Sequence, residues 1–406
     1  MKKHFLSLLT LAIVLSVTSC TFEIREDSDI NGNGSNSGGT TGSVLDGTGT
    51  LTGTLTQNTL VKKGTYALEG IVKVPEGITL TIEPGATFTA KSSVGSGLVV
   101  LQGGKINAAG TASEPIVFTS DTKKPGDWGG VTLYGNAPIK AINGTSRALS
   151  EDGNNVYYGG DNLNDNSGTL KYVRVEYGGK KIGDGTSETN SLTFYAVGAG
   201  TVLENLVAYK GTDDGYEFFG GTVSGKNLVA YGNYDDSFDW QDSWSGQNNS
   251  NWFGYQTAVG NFGMEIEASG NMDNTAPKVA GITLIREAGT KPETAGSIEV
   301  SAIQFKKHGS GIFSNVYMNG YKNTDGKNAY AVLIQDAVTE TEQVNKGKIV
   351  VSPANHVNSD NLNIWGYAFS PNGGKTFTSD AAVKKVALTS GNWATVNGVD
   401  LLAALK

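Results

Sequence analysis

Near its start the chain carries one mostly apolar stretch, Phe5 to Val17, broken only by Ser7, Thr10 and Ser16, and does not use that pattern again. Further on, apolar residues fall at alternate positions in short segments such as Tyr172-Val173-Arg174-Val175-Glu176, Gly281-Ile282-Thr283-Leu284-Ile285 and Asn315-Val316-Tyr317-Met318. A period of two sets one side of a strand on a core and the other toward solvent, so Arg174 and Glu176 are expected to point outward. Helical i, i+3, i+4 stripes are nearly absent from residues 50–340, and Gly-Gly, Asn-Gly and Asp-Gly turn signals separate the strands.

The segments also repeat. Asn205-Leu206-Val207-Ala208-Tyr209 recurs as Asn227-Leu228-Val229-Ala230-Tyr231, and the same 22-residue offset sets Asp213-Asp214 on Asp235-Asp236, Glu217 on Asp239 and Phe218 on Trp240. A fixed period of this size marks units that bury their apolar side only by stacking on their neighbours. The expected fold class is therefore all-β, a single-stranded parallel β-helix (solenoid) with terminal caps. Thr65 to Ala90 reads as the first full coils, with the residues before it closing the N-terminal end. From Thr341 the pattern changes, through Ile349-Val350-Val351 and Leu362 to Phe369, to an Ala/Leu-rich end at Val399 to Leu405 that suits a short helix. The expected division is 1–19 leader, 20–45 tether, 46–340 β-helix and 341–406 C-terminal cap or small appended module.

Composition agrees with a folded β protein: 56 glycines, 9 prolines and only 17% charged residues in 406 describe neither a charged disordered chain nor a coiled coil. Loss of residues 1–19 would remove Lys2 and Lys3 and take the formal charge from −8 to −10, with no basic tract left to bind phosphates. Nucleic acid is excluded as an expected partner.

Met1-Lys2-Lys3-His4 is a positive head on an apolar run too short for a span of about 20 residues, which is the pattern of an export signal. Val17-Thr18-Ser19-Cys20 resembles a bacterial lipobox, making Cys20 the expected lipidation site. It is the chain's single cysteine, so no internal disulfide can form. Glu23, Glu26, Asp27 and Asp29 follow it and look like the acidic signal that directs Bacteroidetes lipoproteins to the outer face of the outer membrane. Asn31 to Gly42 is Asn/Gly/Ser/Thr-rich and reads as a flexible tether.

Two features carry candidate chemistry. The 22-residue offset would stack Asp213 on Asp235, Asp214 on Asp236 and Glu217 on Asp239, each pair about 4.8 Å apart along the rod. Like charges at that distance repel by about 3 to 4 kcal/mol at an effective dielectric near 20. A half-buried ladder of this kind would take a cation or protons, and carboxylates with Asn233 and backbone carbonyls nearby suit Ca²⁺. The same acids can instead bond turn amides, and paired carboxylates are also the equipment of glycoside hydrolysis. No catalytic residue is assigned: His308 and His356 are isolated, and among the arginines only Arg174 lies near the ladder. The second feature is aromatic, with Trp240, Trp244, Trp252, Phe253 and Tyr255 in an amide-rich segment read as a ligand or partner contact. Trp128 reads as a packed coil residue.

Four segments, Pro115 to Ser120, Gly126-Asp127-Trp128-Gly129-Gly130-Val131, Asp165 to Tyr177 and Thr212 to Gly221, resemble a family of right-handed parallel β-helix surface lipoproteins of Bacteroidetes, over about residues 60–340. The resemblance implies a right-handed coil and a cell-surface location. Some members look like accessories of SusC/SusD-type import complexes, and the family transfers no catalytic residue. The expected function is a non-catalytic outer-membrane binding or scaffold protein for glycan or peptide capture. The alternative is a surface polysaccharide lyase or glycoside hydrolase using the acids from Asp213 to Asp239, since β-helices of this kind host both.

Overall fold

The computed structural model describes residues 42–182, 187–295, 300–322, 329–358, 365–367 and 379–406. The leader, Cys20 and the acidic tether lie outside the described residues.

The body is a parallel β-helix whose coils present three faces, each a ladder of parallel strands running the length of the rod. The first face starts at Ser43–Leu45 and Thr59–Val61 and ends at Ile349–Val351. The second starts at Thr48–Thr54 and ends at Ala354–Val357. The third runs from Ile71–Val74 through Gly97–Val100, Val131–Tyr134, Leu192–Tyr195, Tyr216–Phe219, Phe238–Gln241 and Met264–Ile266 to Trp365–Tyr367. Rungs thus exist before Thr65 and the ladders continue past residue 340.

The strands Val202–Tyr209, Gly225–Tyr231 and Asn249–Gln256 each serve two faces by bending at one residue. The bend needs a left-handed backbone, and asparagine tolerates it best among residues with a Cβ. Asn205, Asn227 and Asn251 all sit there with φ between 54° and 57°. Their amides form a ladder: Asn227 Nδ2 donates to Asn205 Oδ1 at 2.8 Å, and Asn251 Nδ2 to Asn227 Oδ1 at 3.0 Å. The repeated Asn of the 22-residue motif is this corner.

Inside the rod, equivalent residues stack rung on rung, since a solenoid core is a pile of like layers. Phe88 lies 4.8 Å from Phe118, Phe194 5.0 Å from Phe218, and Tyr216 5.3 Å from Phe238. Trp240, Trp244 and Trp252 are core residues, as is Trp128.

Outside, the second face is covered too. Residues 379–406 run back along it as a strap: Val386 N donates to Thr283 Oγ1, and Trp393 N and Asn392 Nδ2 reach Ala112 O and Ser113 O. Val386, Trp393, Val396, Leu401 and Leu402 bury Val207, Val229 and Phe253, the outward row of that face. Leu-Val-Ala-Tyr is therefore apolar on both sides because both sides are buried. Arg174 and Glu176, expected in solvent, lie beneath the strap, Glu176 buried and Arg174 half-buried, where Arg174 Nε meets Glu176 Oε1 at 2.5 Å and Nη1 donates to Asn392 O. The end expected as a helix is a short antiparallel pairing, Thr395–Val396 with Val399–Asp400, followed by a single 3₁₀ turn at Ala403–Leu405.

Candidate functional site

On the third face, alternate residues point away from the core. Thr193, Glu217, Asp239 and Glu265 occupy one outward row on successive rungs, while Phe194, Phe218, Trp240 and Ile266 point inward. The pairings Glu217↔Asp239 and Phe218↔Trp240 are those of the 22-residue offset.

The turns ahead of these strands bring the other acids of the ladder. Gly215 N donates to Asp236 O at 2.9 Å, and Asp236 N to Asp214 Oδ1 at 2.8 Å, so the two turns are bonded rung to rung. A Cβ at Gly215 would lie 2.6 Å from Asn233 Nδ2, which is why glycine follows Asp214. Asp236 Oδ1 accepts from Phe262 N at 2.6 Å, and Asn261 Nδ2 donates to Asp235 Oδ1. Bonding to turn amides, one of the two roles foreseen for these acids, is seen at Asp214 and Asp236. Asp214 and Asp236 each spend one oxygen on a turn amide, and Asp214 also faces, with the acids of the outward row, a cleft of about 390 Å³.

Among the described residues, eight carboxylate side chains and two lysines line that cleft. Oxygens of Asp214, Glu217 and Asp239 lie within 4.8 Å of one another, as do those of Asp213, Asp214 and Asp235, and those of Asp236, Asp239 and Glu265. Asp213, Asp214, Glu217 and Asp236 are buried, and Asp239 is half-buried with its Oδ1 shielded and without a hydrogen-bond partner. Burial first, and the neighbouring acids second, push Asp214, Glu217, Asp236 and Asp239 well above the usual carboxylate range. Burial acts to lower Lys306, but Glu265, Asp239 and Glu267 outweigh it and hold the ammonium above its ordinary value. Two oxygens bound to one Ca²⁺ at 2.3–2.6 Å can be no more than about 5 Å apart. Each acid group meets that limit.

The aromatic expectation is corrected. Trp240, Trp244, Trp252 and Phe253 are at most 1% exposed, the tryptophans inside the rod and Phe253 under the strap. Tyr255 is half-buried, stacked 4.9 Å from Tyr231 with its hydroxyl on Glu287. Tryptophans spaced through an Asn/Ser/Gly-rich segment resemble an exposed platform in sequence, but the polar residues are turns and the rings between them enter the core. Asn233, expected beside a cation, is buried with its Oδ1 accepting from Gly211 N at 2.8 Å.

Several site residues were not apparent in the sequence. Glu265 stacks on Asp239 but follows it by 26 residues, so the 22-residue period misses it. Lys306 bonds Glu265, and Lys307 bonds Glu267 at 2.7 Å, from a still longer coil. Glu151 arrives on an excursion between Tyr134 and Gly168, held by Tyr134 OH on Asp152 and Tyr158 OH on Asp242. Arg286 is buried and donates to Gln256 Oε1, Gly260 O and Asn261 O, fixing the lip that carries Asn261 and Phe262 onto Asp235 and Asp236.

A family model described as a pectate-lyase-like β-helix domain matches residues 52–396. The chain belongs to that family. No curated protein and no solved structure matches it.

Proposed function

We propose that this member of the pectate-lyase-like β-helix family is a surface-anchored glycan-binding protein. In this reading it holds its ligand in the acidic cleft of the third face through a bound divalent cation, Ca²⁺ by its ligand chemistry. The observation that carries the proposal is the Asp214, Glu217 and Asp239 group, with three carboxylates within 4.8 Å and Asp239 Oδ1 left unpaired. Hard, closely set oxygens of irregular geometry favour Ca²⁺ over Mg²⁺, which demands a near-ideal octahedron. The cation offsets part of the charge of eight acids against two lysines, and its remaining positions accept sugar hydroxyl or carboxylate oxygens. A glycan suits this polar cleft better than an apolar peptide, because the large aromatic side chains are committed to the core.

Cys20 is, in this proposal, the lipid attachment that places the rod on the outer membrane facing the exterior. A SusC/SusD-type importer is the proposed partner to which captured glycan passes. A second reading, a polysaccharide lyase or glycoside hydrolase, draws on one observation. Carboxyls pushed upward by burial beside other acids are the arrangement from which a general acid and its ionised partner are made.

One experiment separates the two. Neutral and acidic polysaccharides are run through affinity gels containing the protein with Ca²⁺ or with chelator, and the recovered polymer is sized. Calcium-dependent retardation with unchanged polymer length is the expected result. Shortened polymer would make the protein an enzyme, and no retardation of any polysaccharide would end the glycan reading.

A further inference from the structure

The outward row of the third face changes character toward the N-terminal end of the rod: Thr132 stacks on Thr193, and Val99 on Thr132. There the face sinks into a second hollow of about 320 Å³, floored by Ile71, Gly97, Val99 and Gly129 and edged by Lys180 and Thr189. Its centre near Thr132 is two rungs from Glu217, about 10 Å at the strand spacing.

The glycines of the floor explain the hollow. Gly130 needs to be glycine, having φ 68° and room for a Cβ only 2.2 Å from Asn190 O. Gly97 and Gly129 do not. Neither has a left-handed backbone, and a Cβ on Gly129 would have Ser96 O at 3.4 Å as its nearest neighbour. On Gly97 the nearest would be the movable Ile71 Cδ1 at 3.2 Å. Their lack of a side chain serves no backbone demand and leaves an open apolar floor. Asp152 also borders the hollow, but its oxygens already accept from Tyr134 OH at 2.5 Å and from Asn154 N and Nδ2 at 3.0 and 2.8 Å. Lys180 supplies the rim's cation.

We propose that this hollow is a second ligand site, which takes a compact molecule with a flat apolar body lying over Gly97 and Gly129 and an anionic end facing Lys180. Apolar surface with a few convergent polar and charged groups is the ordinary make-up of a small-molecule pocket, and the volume is of the usual order. The site is independent of the cation cleft.

The test uses 2-naphthoate and its neutral analogue 2-naphthalenemethanol as probes, followed by saturation-transfer NMR on the full chain. Wild type is expected to bind naphthoate in preference to the alcohol. Gly129→Leu or Gly97→Leu should weaken both probes at least tenfold by filling the floor, and Lys180→Gln should remove the preference while leaving the alcohol bound. Asp239→Asn, which disables the cation cleft, should change neither. Unchanged naphthoate affinity in a leucine variant that melts like wild type would overturn the proposal, and so would failure of wild type to bind either probe. If both leucine variants fail to fold, the lysine variant decides: a preference that survives Lys180→Gln overturns it.

Discussion

Asp239→Asn is the most informative single change in the acidic cleft. Asp214, Glu217 and Asp239 bring oxygens within 4.8 Å of one another. At an effective dielectric near 20, each ionised pair at that distance repels by about 3.5 kcal/mol, so three pairs approach 10 kcal/mol. That sum rivals the whole stability of a domain, about 5–15 kcal/mol, so without metal at least one of the three keeps its proton at neutral pH. The raised carboxyls give the direction of the pH effect. The folded state holds protons that the unfolded chain releases near pH 4, so metal-free stability is fully present below that pH. It falls as pH rises toward the elevated folded values. Asparagine removes one member of the group, and Lys306 keeps Glu265 and Glu267 as partners. The metal-free variant should therefore be more stable than wild type at pH 7.5 by about 1–3 kcal/mol, a rise in Tm of roughly 1–4 °C for a folded unit of this size. Its stability should also fall less steeply between pH 4 and 8. Calcium reverses the order. At one hundred times Kd it should stabilise wild type by about 2.7 kcal/mol and the variant hardly at all. Differential scanning fluorimetry across pH, with chelator or Ca²⁺, reads all of this. A metal-free variant that melts below wild type, or an undiminished calcium shift, would refute the reasoning.

Other parts of the structure give separate expectations. Asn227→Ala loses two amide hydrogen bonds and forces alanine into the left-handed region, costing about 3 kcal/mol, whereas Asn227→Gly keeps the corner and costs about 2. Urea titration should rank them in that order. Trp393→Ala should cost about 3–5 kcal/mol and make residues 379–406 the first site of limited proteolysis, with calcium binding on the third face unchanged in isothermal titration. Arg286→Gln should free the Asn261 lip and weaken Ca²⁺ binding at least several-fold at nearly normal circular dichroism, with Arg286→Lys intermediate. Cys20→Ala should release the protein from the membrane fraction, and attachment that survives the change would remove the lipid anchor from the proposed function.

The sequence was enough for the stacking because a repeat of constant length is a register written in one dimension. Wherever two coils are equally long, residues one period apart must become neighbours, as Glu217 and Asp239 or Phe218 and Trp240 do. The recurring asparagine was visible in the repeat, but its place at a left-handed corner emerged only from the backbone. What the sequence could not reveal depends on coils of unequal length and on contacts between distant segments. Glu265 and Lys306 enter the cleft only because long turns bulge outward while their strands stay in register.

The two sides of a strand gave the same difficulty. Period two shows that neighbouring side chains point in opposite directions, but it does not say what covers either side. The strap made interior of Val207 and Val229 and covered the Arg174–Glu176 pair, and the core took Trp240 and Trp252 from the expected binding surface. Local sequence determined the coil and the stacking of its acids, because those follow from backbone conformation and repeat length. Which faces meet water, and which acids share a cleft, was decided only when residues far apart in the chain closed over one another, because burial belongs to the assembled surface and not to any segment.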